Sequence, residues 1–261
     1  MKIIIVADES SLSASKSNKE PLVKSCFNMF AEYWSVKDIL IQCPEQIAEK
    51  IKKILPEAQI FSEPLKKGTA AAVGLAAVRI ALQNPDEVVI VSYSDHPVKY
   101  KHKLHAALKV AQTLYNHWEK LILIGVNPTF PSTDYGYAQI GKVLQEINGT
   151  IAFEMVGFKE KPTQNTAEKF LQSWRYLWNT GYMVCGVKTL LNKYKQLLPD
   201  LYKGLQLIKE AMGTSLEQQI SRTVFANLPK ISIDKGIYEK IPRDEVAIIP
   251  VDLNIHDFSD Y

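Results

Sequence analysis

Apolar positions along this chain alternate between two periods. Lys2–Ala7 is a short β-branched run closed by polar residues, the pattern of a buried strand, and further short strands are predicted at Asp38–Cys43, Ala58–Ser62, the β-branched Glu87–Tyr93 and the apolar Lys120–Val126. Between them lie helix-length stretches, around Pro21–Trp34, Pro44–Leu55, the alanine-rich Thr69–Gln83 and His102–Tyr115. Pro44 suits a first helical turn because its missing N–H would have no intrahelical partner there. Strands separated by helices predict parallel crossovers and an α/β fold, a Rossmann-like, mixed and mainly parallel sheet flanked by helices. The second half changes character: strands are predicted around Tyr137–Val143, Ile151–Lys159 and Gly181–Val187, then helices over Leu190–Leu198, Asp200–Met212 and Ser215–Asn227. The expectation is a single domain over 1–261, with a nucleotide-binding half at 1–127, a substrate-side half at 128–261 and the join near Pro128–Asp134. No internal repeat is present, and Ser10–Asn18 is locally serine-rich.

Composition narrows the class. With 46% hydrophobic and 23% charged residues and only 3 Cys among 261, disorder, collagen and a disulfide scaffold are excluded. The 31 basic residues are interspersed with 28 acidic ones, so the basic stripe that neutralises nucleic-acid phosphates is missing and no nucleic-acid partner is expected. Cys26, Cys43 and Cys185 lie far apart without a C-x-x-C pair, which argues for free thiols in a reducing, cytoplasmic setting. The opening run Ile3–Ala7 is too short for an export signal or a membrane span and is followed at once by Asp8 and Glu9, so no membrane partner is expected.

In open parallel sheets ligands bind beyond the carboxyl ends of strands, so polar residues directly after strong strands are the first candidates. Asp95-His96 follows Val88–Tyr93 and offers a carboxylate for Mg²⁺, or simply a turn aspartate. Asp257, a few residues beyond the apolar run Val246–Val251, is a second carboxylate of this kind. Phe158-Lys159-Glu160-Lys161-Pro162 places lysines beside a fixed turn, to neutralise a phosphate or to form a solvated edge. Trp178-Asn179-Thr180-Gly181 reads either as a stacking surface with an amide for hydroxyls, or as a buried Trp and a turn. Tyr135-Gly136-Tyr137 is a ligand loop or a hairpin, and His102-x-x-His105, with no third ligand nearby, reads as surface.

Taken in order, these segments resemble the sugar-phosphate nucleotidyltransferase family, and within it most closely the mannose-1-phosphate guanylyltransferases. Glu63-Pro64-Leu65-Lys66-Lys67-Gly68-Thr69-Ala70-Ala71-Ala72 resembles E-P-x-x-R-N-T-A-P-A, and Ser94-Asp95-His96 resembles A-D-H. Thr133–Tyr137 resembles T-G-Y-G-Y, Phe158–Pro162 resembles F-x-E-K-P, and Trp178–Tyr182 resembles W-N-S-G-x. Ser232-Ile233-Asp234 resembles S-I-D, and Pro250–Asp252 with His256–Phe258 resembles the closing P-x-D and S-D-V. The resemblance implies the nucleotide-diphospho-sugar transferase type of fold. It also implies Mg²⁺-dependent attack of mannose 1-phosphate on the α-phosphorus of GTP, giving GDP-mannose and pyrophosphate, with a homo-oligomer as a further possibility. Carried over, Asp95 and Asp257 bind Mg²⁺, and Lys161 contacts phosphate, with Lys161 and Asp95 at the chemistry. Glu160, Asn179, Gly136, Tyr137 and Gly181 line the sugar pocket, while Thr69 and Ala70, with Asp95, face the nucleotide.

One departure bears on function. The family's first loop, G-G-x-G-T-R-L-x-P, wraps a triphosphate with glycine amides and supplies an arginine. Here the same place reads Asp8-Glu9-Ser10-Ser11-Leu12-Ser13-Ala14, with no glycine or arginine and two carboxylates toward a polyanion. Lys16, Lys19 and Lys24 are the candidate replacement cations, while Lys67 and Gly68 stand for the family's Arg and Asn. The sequence given ends at Tyr261, just past the last motif, so no β-helix or other C-terminal domain is expected. The alternative to an enzyme is a sugar-nucleotide-binding or regulatory homologue that has lost triphosphate handling.

Overall fold

In a computed structural model describing residues 1–14, 19–95 and 98–253, the short runs predicted as strands in the first half form five strands. These are β1 (Lys2–Val6), β2 (Ile39–Pro44), β3 (Gln59–Glu63), β4 (Val88–Tyr93) and β5 (Leu121–Val126). The segments between them form α1 (Leu22–Ala31), α2 (Glu45–Ile54), α3 (Thr69–Gln83) and α4 (Lys101–Trp118). The second half adds β6 (Tyr137–Ile147), β7 (Thr150–Lys159), α5 (Gln164–Ser173), β8 (Tyr176–Gly186), α6 (Val187–Leu197), α7 (Pro199–Ala211), α8 (Glu217–Asn227) and β9 (Val246–Pro250).

All nine strands join one sheet in the order β3-β2-β1-β4-β8-β5-β9-β7-β6. The pairs β1–β2, β1–β4, β2–β3 and β5–β9 are parallel. Strand β8 is antiparallel to both β4 and β5, between which it lies. Both halves of the chain therefore share one sheet. Strand β8 can occupy the middle because it is buried along nearly its whole length, as a strand covered on both faces must be. Alternation along the strands sends Ile3, Ile5, Ile39 and Ile41 to one face, under α1, α2 and α4, and Ile4 and Leu40 to the other, under α3, α6 and α7.

Three segments depart from the expected pattern. The β6–β7 hairpin runs past Val143 to Ile147 and turns at Asn148 and Gly149, both with positive φ (51° and 77°), the Asn-Gly turn whose twist matches that of the flanking strands. Helix α5 was not expected, since only Ala167 of its ten residues is buried and its apolar stripe is thin. Strand β8 begins at Tyr176, not Gly181, because Trp178–Gly181 is strand rather than turn: Leu123 pairs with Met183 but Gly125 with Asn179, so β8 bulges there, with Gly181 at φ 80°. His105 is no bare surface residue, since its ring stacks on Tyr33 at 4.1 Å and meets Trp34 at 4.7 Å. Cys26, Cys43 and Cys185 are buried free thiols. Among the described residues no helix is long and apolar enough to cross a membrane.

Candidate active site at the carboxyl ends of the strands

The register pairs Val6 with Tyr93 and with Gln42, and Pro44 with Glu63, so β1 to β4 end side by side. Two cavities open over these ends. They share Thr69, Tyr93 and Asp95 and together form one cleft. The first, about 140 Å³, is lined by Asp8, Ser11, Glu63, Lys66 and Gly68 among others. The second, about 260 Å³, is lined by Asp134, Gly136, Glu160, Lys161, Asn179, Gly181, Ser232 and Asp234 among others. Residues distant in sequence thus converge where open α/β sheets bind ligands.

The larger cavity is built by strand ends held together through the backbone. Asn179 N–H donates to the Gly136 carbonyl at 2.7 Å, and Lys161 N–H to the Tyr135 carbonyl at 3.2 Å. The bulge in β8 re-aims Asn179 into the cleft, and its Nδ2 donates to Asp234 Oδ1 at 3.0 Å. Asp234 arrives on a segment stitched to the start of α3: Ile231 N–H donates to the Lys67 carbonyl, Ala70 N–H to the Ile231 carbonyl, and Ile233 N–H to Thr69 Oγ1 at 2.9 Å. Gly136 leaves room for its neighbours, since a Cβ there would lie 2.6 Å from Glu160 Oε2 and 2.9 Å from Phe158 Cζ and would push the Glu160 carboxyl from its place. Gly68 is required twice over, by φ 89° and by a Cβ position 2.4 Å from the Ile231 carbonyl oxygen.

Charge in the cleft is predominantly negative. Burial, reinforced by the Asp234 carboxylate and partly opposed by Lys161, pushes the Glu160 carboxyl up to about 7. Burial likewise pushes Glu63 up to about 8, against the lowering effect of Lys66, and Glu63 Oε2 is buried without a hydrogen-bond partner. A carboxyl with a raised pKa that lines a cleft is a candidate functional group, and Glu63 and Glu160 both meet that description.

The loop after β1 forms a short 3-10 turn, Glu9–Leu12. Asp8 caps it, Oδ1 accepting the Ser10 N–H at 3.0 Å, while Ser11 Oγ accepts the Asp8 N–H at 2.8 Å and meets Ser94 Oγ at 2.5 Å. Lys66 Nζ sits 2.8 Å from Asp8 Oδ2 and 3.0 Å from Glu9 Oε2. Burial alone would raise the Asp8 carboxyl, but the Lys66 and Ser10 hydrogen bonds and the Lys66 charge outweigh it and hold the group below its ordinary range.

Of the residues singled out from sequence, Thr69, Asp95, Gly136, Glu160, Lys161, Asn179 and Gly181 all line the cleft. Others do not. Tyr137 is fully buried, its hydroxyl donating to the Ser132 carbonyl at 3.0 Å and its ring packed near Phe170 and Trp178, so it supports the wall of the larger cavity from behind. Trp178 offers no stacking surface, being fully buried. Ala70 is also fully buried and gives its carbonyl to the Tyr194 hydroxyl at 2.7 Å; helical geometry turns it from the cleft one position after Thr69. Asp257, His96 and Lys16 lie outside the described residues. Lys24 pairs with Glu20 at 3.3 Å, and neither it nor Lys19 lines the cleft. Sequence reasoning gave no role to Asp234, Glu63 or Lys66, although all three stand within or beside quoted motifs; the signal was there, but only the fold shows that their side chains share one cleft.

The fold and the cleft define an open α/β sheet with a ligand site at its strand ends, and comparison with known proteins gives the family. Residues 15–223 match the nucleotidyl transferase family, and the chain belongs to it. A mannose-1-phosphate guanylyltransferase of Salmonella montevideo is 30% identical over 231 residues, covering 85% of this chain and 48% of its own. One from Escherichia coli K12 is 27% identical over 226 residues, covering 84% and 47%. The chain thus spans about half the length of the curated relatives it matches. Among solved structures, a Thermus thermophilus protein described as a mannose-1-phosphate geranyltransferase superposes with a TM-score of 0.78 at 24% identity, over 95% of this chain and 73% of that one. A Helicobacter pylori protein described as a mannose-6-phosphate isomerase superposes with a TM-score of 0.77 at 22% identity, over 97% and 98%. At those identities the likeness is one of fold.

Proposed function

We propose that the chain catalyses Mg²⁺-dependent nucleotidyl transfer from GTP to mannose 1-phosphate, giving GDP-mannose and pyrophosphate. The observation that carries this reading is the single cleft joining Thr69, Glu63 and Asp95 on one side to Glu160, Lys161, Asn179 and Asp234 on the other. In-line attack of a sugar phosphate on an α-phosphorus needs positioning and charge neutralisation more than a protein nucleophile. Lys161 supplies a cation for the sugar phosphate, and Glu160 and Asp234 offer acceptors for sugar hydroxyls. Thr69 stands at the first turn of α3, whose dipole favours an anion, although the Ala70, Ala71 and Ala72 N–H groups are taken by the Ile231 and Gly68 carbonyls.

Glu63 favours guanine. Guanine presents N1–H beside its exocyclic amine, two donors that stabilise the ionised carboxylate and would draw Glu63 down from its raised value of about 8, whereas adenine, cytosine and uracil pair one donor with acceptors and offer no such pull.

A divalent cation fits the chemistry of the lining. Two phosphorylated substrates would meet Asp95, Asp134, Glu160 and Asp234 against Lys161, an excess of oxygen donors that a hard cation balances. No group of three or more potential metal-ligating side chains is close-set among the described residues, so Asp95 would hold Mg²⁺ with substrate phosphates, and by the family resemblance with Asp257. When bound, the ion would neutralise phosphate charge.

A second reading, a sugar-nucleotide-binding homologue impaired in triphosphate handling, is favoured by one observation, the ion pairing of Lys66 with Asp8 and Glu9 where a glycine loop would cradle phosphate. The two separate in one assay. Purified protein with Mg²⁺, GTP and mannose 1-phosphate is expected to release pyrophosphate and form GDP-mannose; no product over hours at high protein concentration, with GDP-mannose still binding, establishes the second reading instead.

A further inference from the structure

We propose that Lys66 is this chain's polyphosphate contact, and that Asp8 and Glu9 hold it in an exchangeable clamp that opens when a nucleoside triphosphate enters. The proposal rests on the nucleotidyl transfer reading and adds to it the residue that replaces the missing loop arginine.

Four observations carry it. Lys66 is the one cation among the described residues lining the smaller cavity, which it shares with Asp8, Thr69 and Asp95. The neighbouring cation is committed elsewhere: Lys67 Nζ donates to the Ala226 carbonyl at 3.0 Å, in the last turn of α8, where a cation satisfies free carbonyls. The clamp is asymmetric in stiffness. Asp8 is fixed by its Ser10 and Ser11 hydrogen bonds, whereas Lys66 carries its ammonium on a flexible stem from a loop. Finally, the clamp is solvent-exposed, with side chains 45%, 40% and 61% accessible for Lys66, Asp8 and Glu9. Exposed ion pairs contribute little stability, so charge-assisted hydrogen bonds to phosphate can replace them.

The exchange has a consequence for specificity. Once Lys66 turns to phosphate, Asp8 and Glu9 lose their counter-charge beside the incoming anion, so the clamp penalises a ligand in proportion to its charge. Triphosphate is weakened more than sugar nucleotide, and Lys66 is what keeps it bound at all.

The test is calorimetry at constant Mg²⁺ with two probes, inorganic tripolyphosphate and GTP, on the wild-type chain, Lys66→Gln, Lys66→Arg and the double variant Asp8→Asn/Glu9→Gln, all checked for an unchanged melting profile. Lys66→Gln is expected to weaken both probes by about tenfold or more, Lys66→Arg to stay within about threefold of wild type, and the double variant to bind both about tenfold more tightly. Equal affinity of wild type and Lys66→Gln for both probes overturns the assignment while leaving nucleotidyl transfer standing. Lys66-dependent tripolyphosphate binding with no gain for GTP overturns the GTP reading and leaves Lys66 in its role. Binding of neither probe by any form overturns both.

Discussion

Asn179 is tied to Asp234 by a 3.0 Å hydrogen bond from its side-chain amide, and its own Oδ1 accepts the Gly181 N–H at 3.3 Å. Both ends of the amide are thus engaged within the protein, so Asn179 fixes Asp234 at the wall of the larger cavity, where the proposed function places the sugar phosphate. Asn179→Asp turns the donor into a second carboxylate and sets like charges a few ångströms apart. Mannose 1-phosphate affinity is expected to fall by about tenfold or more, with GTP affinity changed far less. Titration of both ligands checks this; a parallel loss for both would mean the substitution disturbs the whole cleft.

Gly68 joins the two walls, because its positive φ lets Lys67 and Ala70 bond to Ile231 on either side. Gly68→Ala meets both a left-handed backbone and the Ile231 carbonyl oxygen at 2.4 Å. The expected cost is roughly 2–4 kcal/mol, a fall of several degrees in Tm. Thermal unfolding with the Tm unchanged would show that the Ile231 segment yields freely.

Strands β1, β2, β4 and β5 were legible because each is a short apolar, largely β-branched run that is buried over most of its length, while β3, at the sheet edge and only partly buried, was read from its place between two helical segments. Strand β8 was not. Asn179, Thr180 and Gly181 read locally as turn residues, and only the pairing of β8 with β4 and β5 makes them a bulge inside a strand. The same reason divides the site. Asp95, Glu160 and Lys161 directly follow strands, so position along the chain points to them. Asp234 reaches the cleft through a π-helical turn, Asp234–Tyr238, anchored by Thr69, and Lys66 faces Asp8 across a sequence separation of 58. Neither juxtaposition has a local signature. Tyr137 shows the converse error, since a motif position adjacent to a cleft-lining glycine points its ring into the core when strand alternation reverses its face.

Base selection is expected to rest on Glu63. Glu63→Gln keeps the one-acceptor, one-donor pattern of the protonated acid but removes the ionised form that guanine's two donors would stabilise, which suits the N3–H and carbonyl edge of uracil better than the donor pair of guanine. The preference for GTP over UTP is expected to shrink by about tenfold. Competition binding with the four triphosphates measures it, and an unaltered preference would remove Glu63 from base recognition.

Glu63 also makes stability depend on pH in a direction opposite to that of most carboxylates. Its folded pKa is pushed up to about 8 by burial, against an ordinary value of 4.5, and Glu160 is pushed to about 7 by burial and Asp234. Between 4.5 and these values the folded chain holds protons that the unfolded chain has released. The stability they contribute is therefore fully present below about 4.5 and is lost as pH rises through about 7 and 8. At roughly 1.4 kcal/mol per unit, the loss from Glu63 is on the order of a few kcal/mol. Asp8 works the other way, its lowered pKa contributing stability that is lost only as pH falls through the acidic range. His105, lowered by burial and by Lys109, likewise favours the folded state above its ordinary value of 6.5. Most of the Glu160 loss is complete by about pH 7, so the window that reads Glu63 is about pH 7–8, above the histidine and below the ordinary range of the buried thiols. Urea unfolding across that window should show wild-type stability declining, and Glu63→Gln, which cannot ionise, declining less and gaining on wild type as pH rises. A wild-type profile that is flat or rises over the same interval would mean that Glu63 is ionised in the folded chain, with Lys66 turned from Asp8 and Glu9 to meet it.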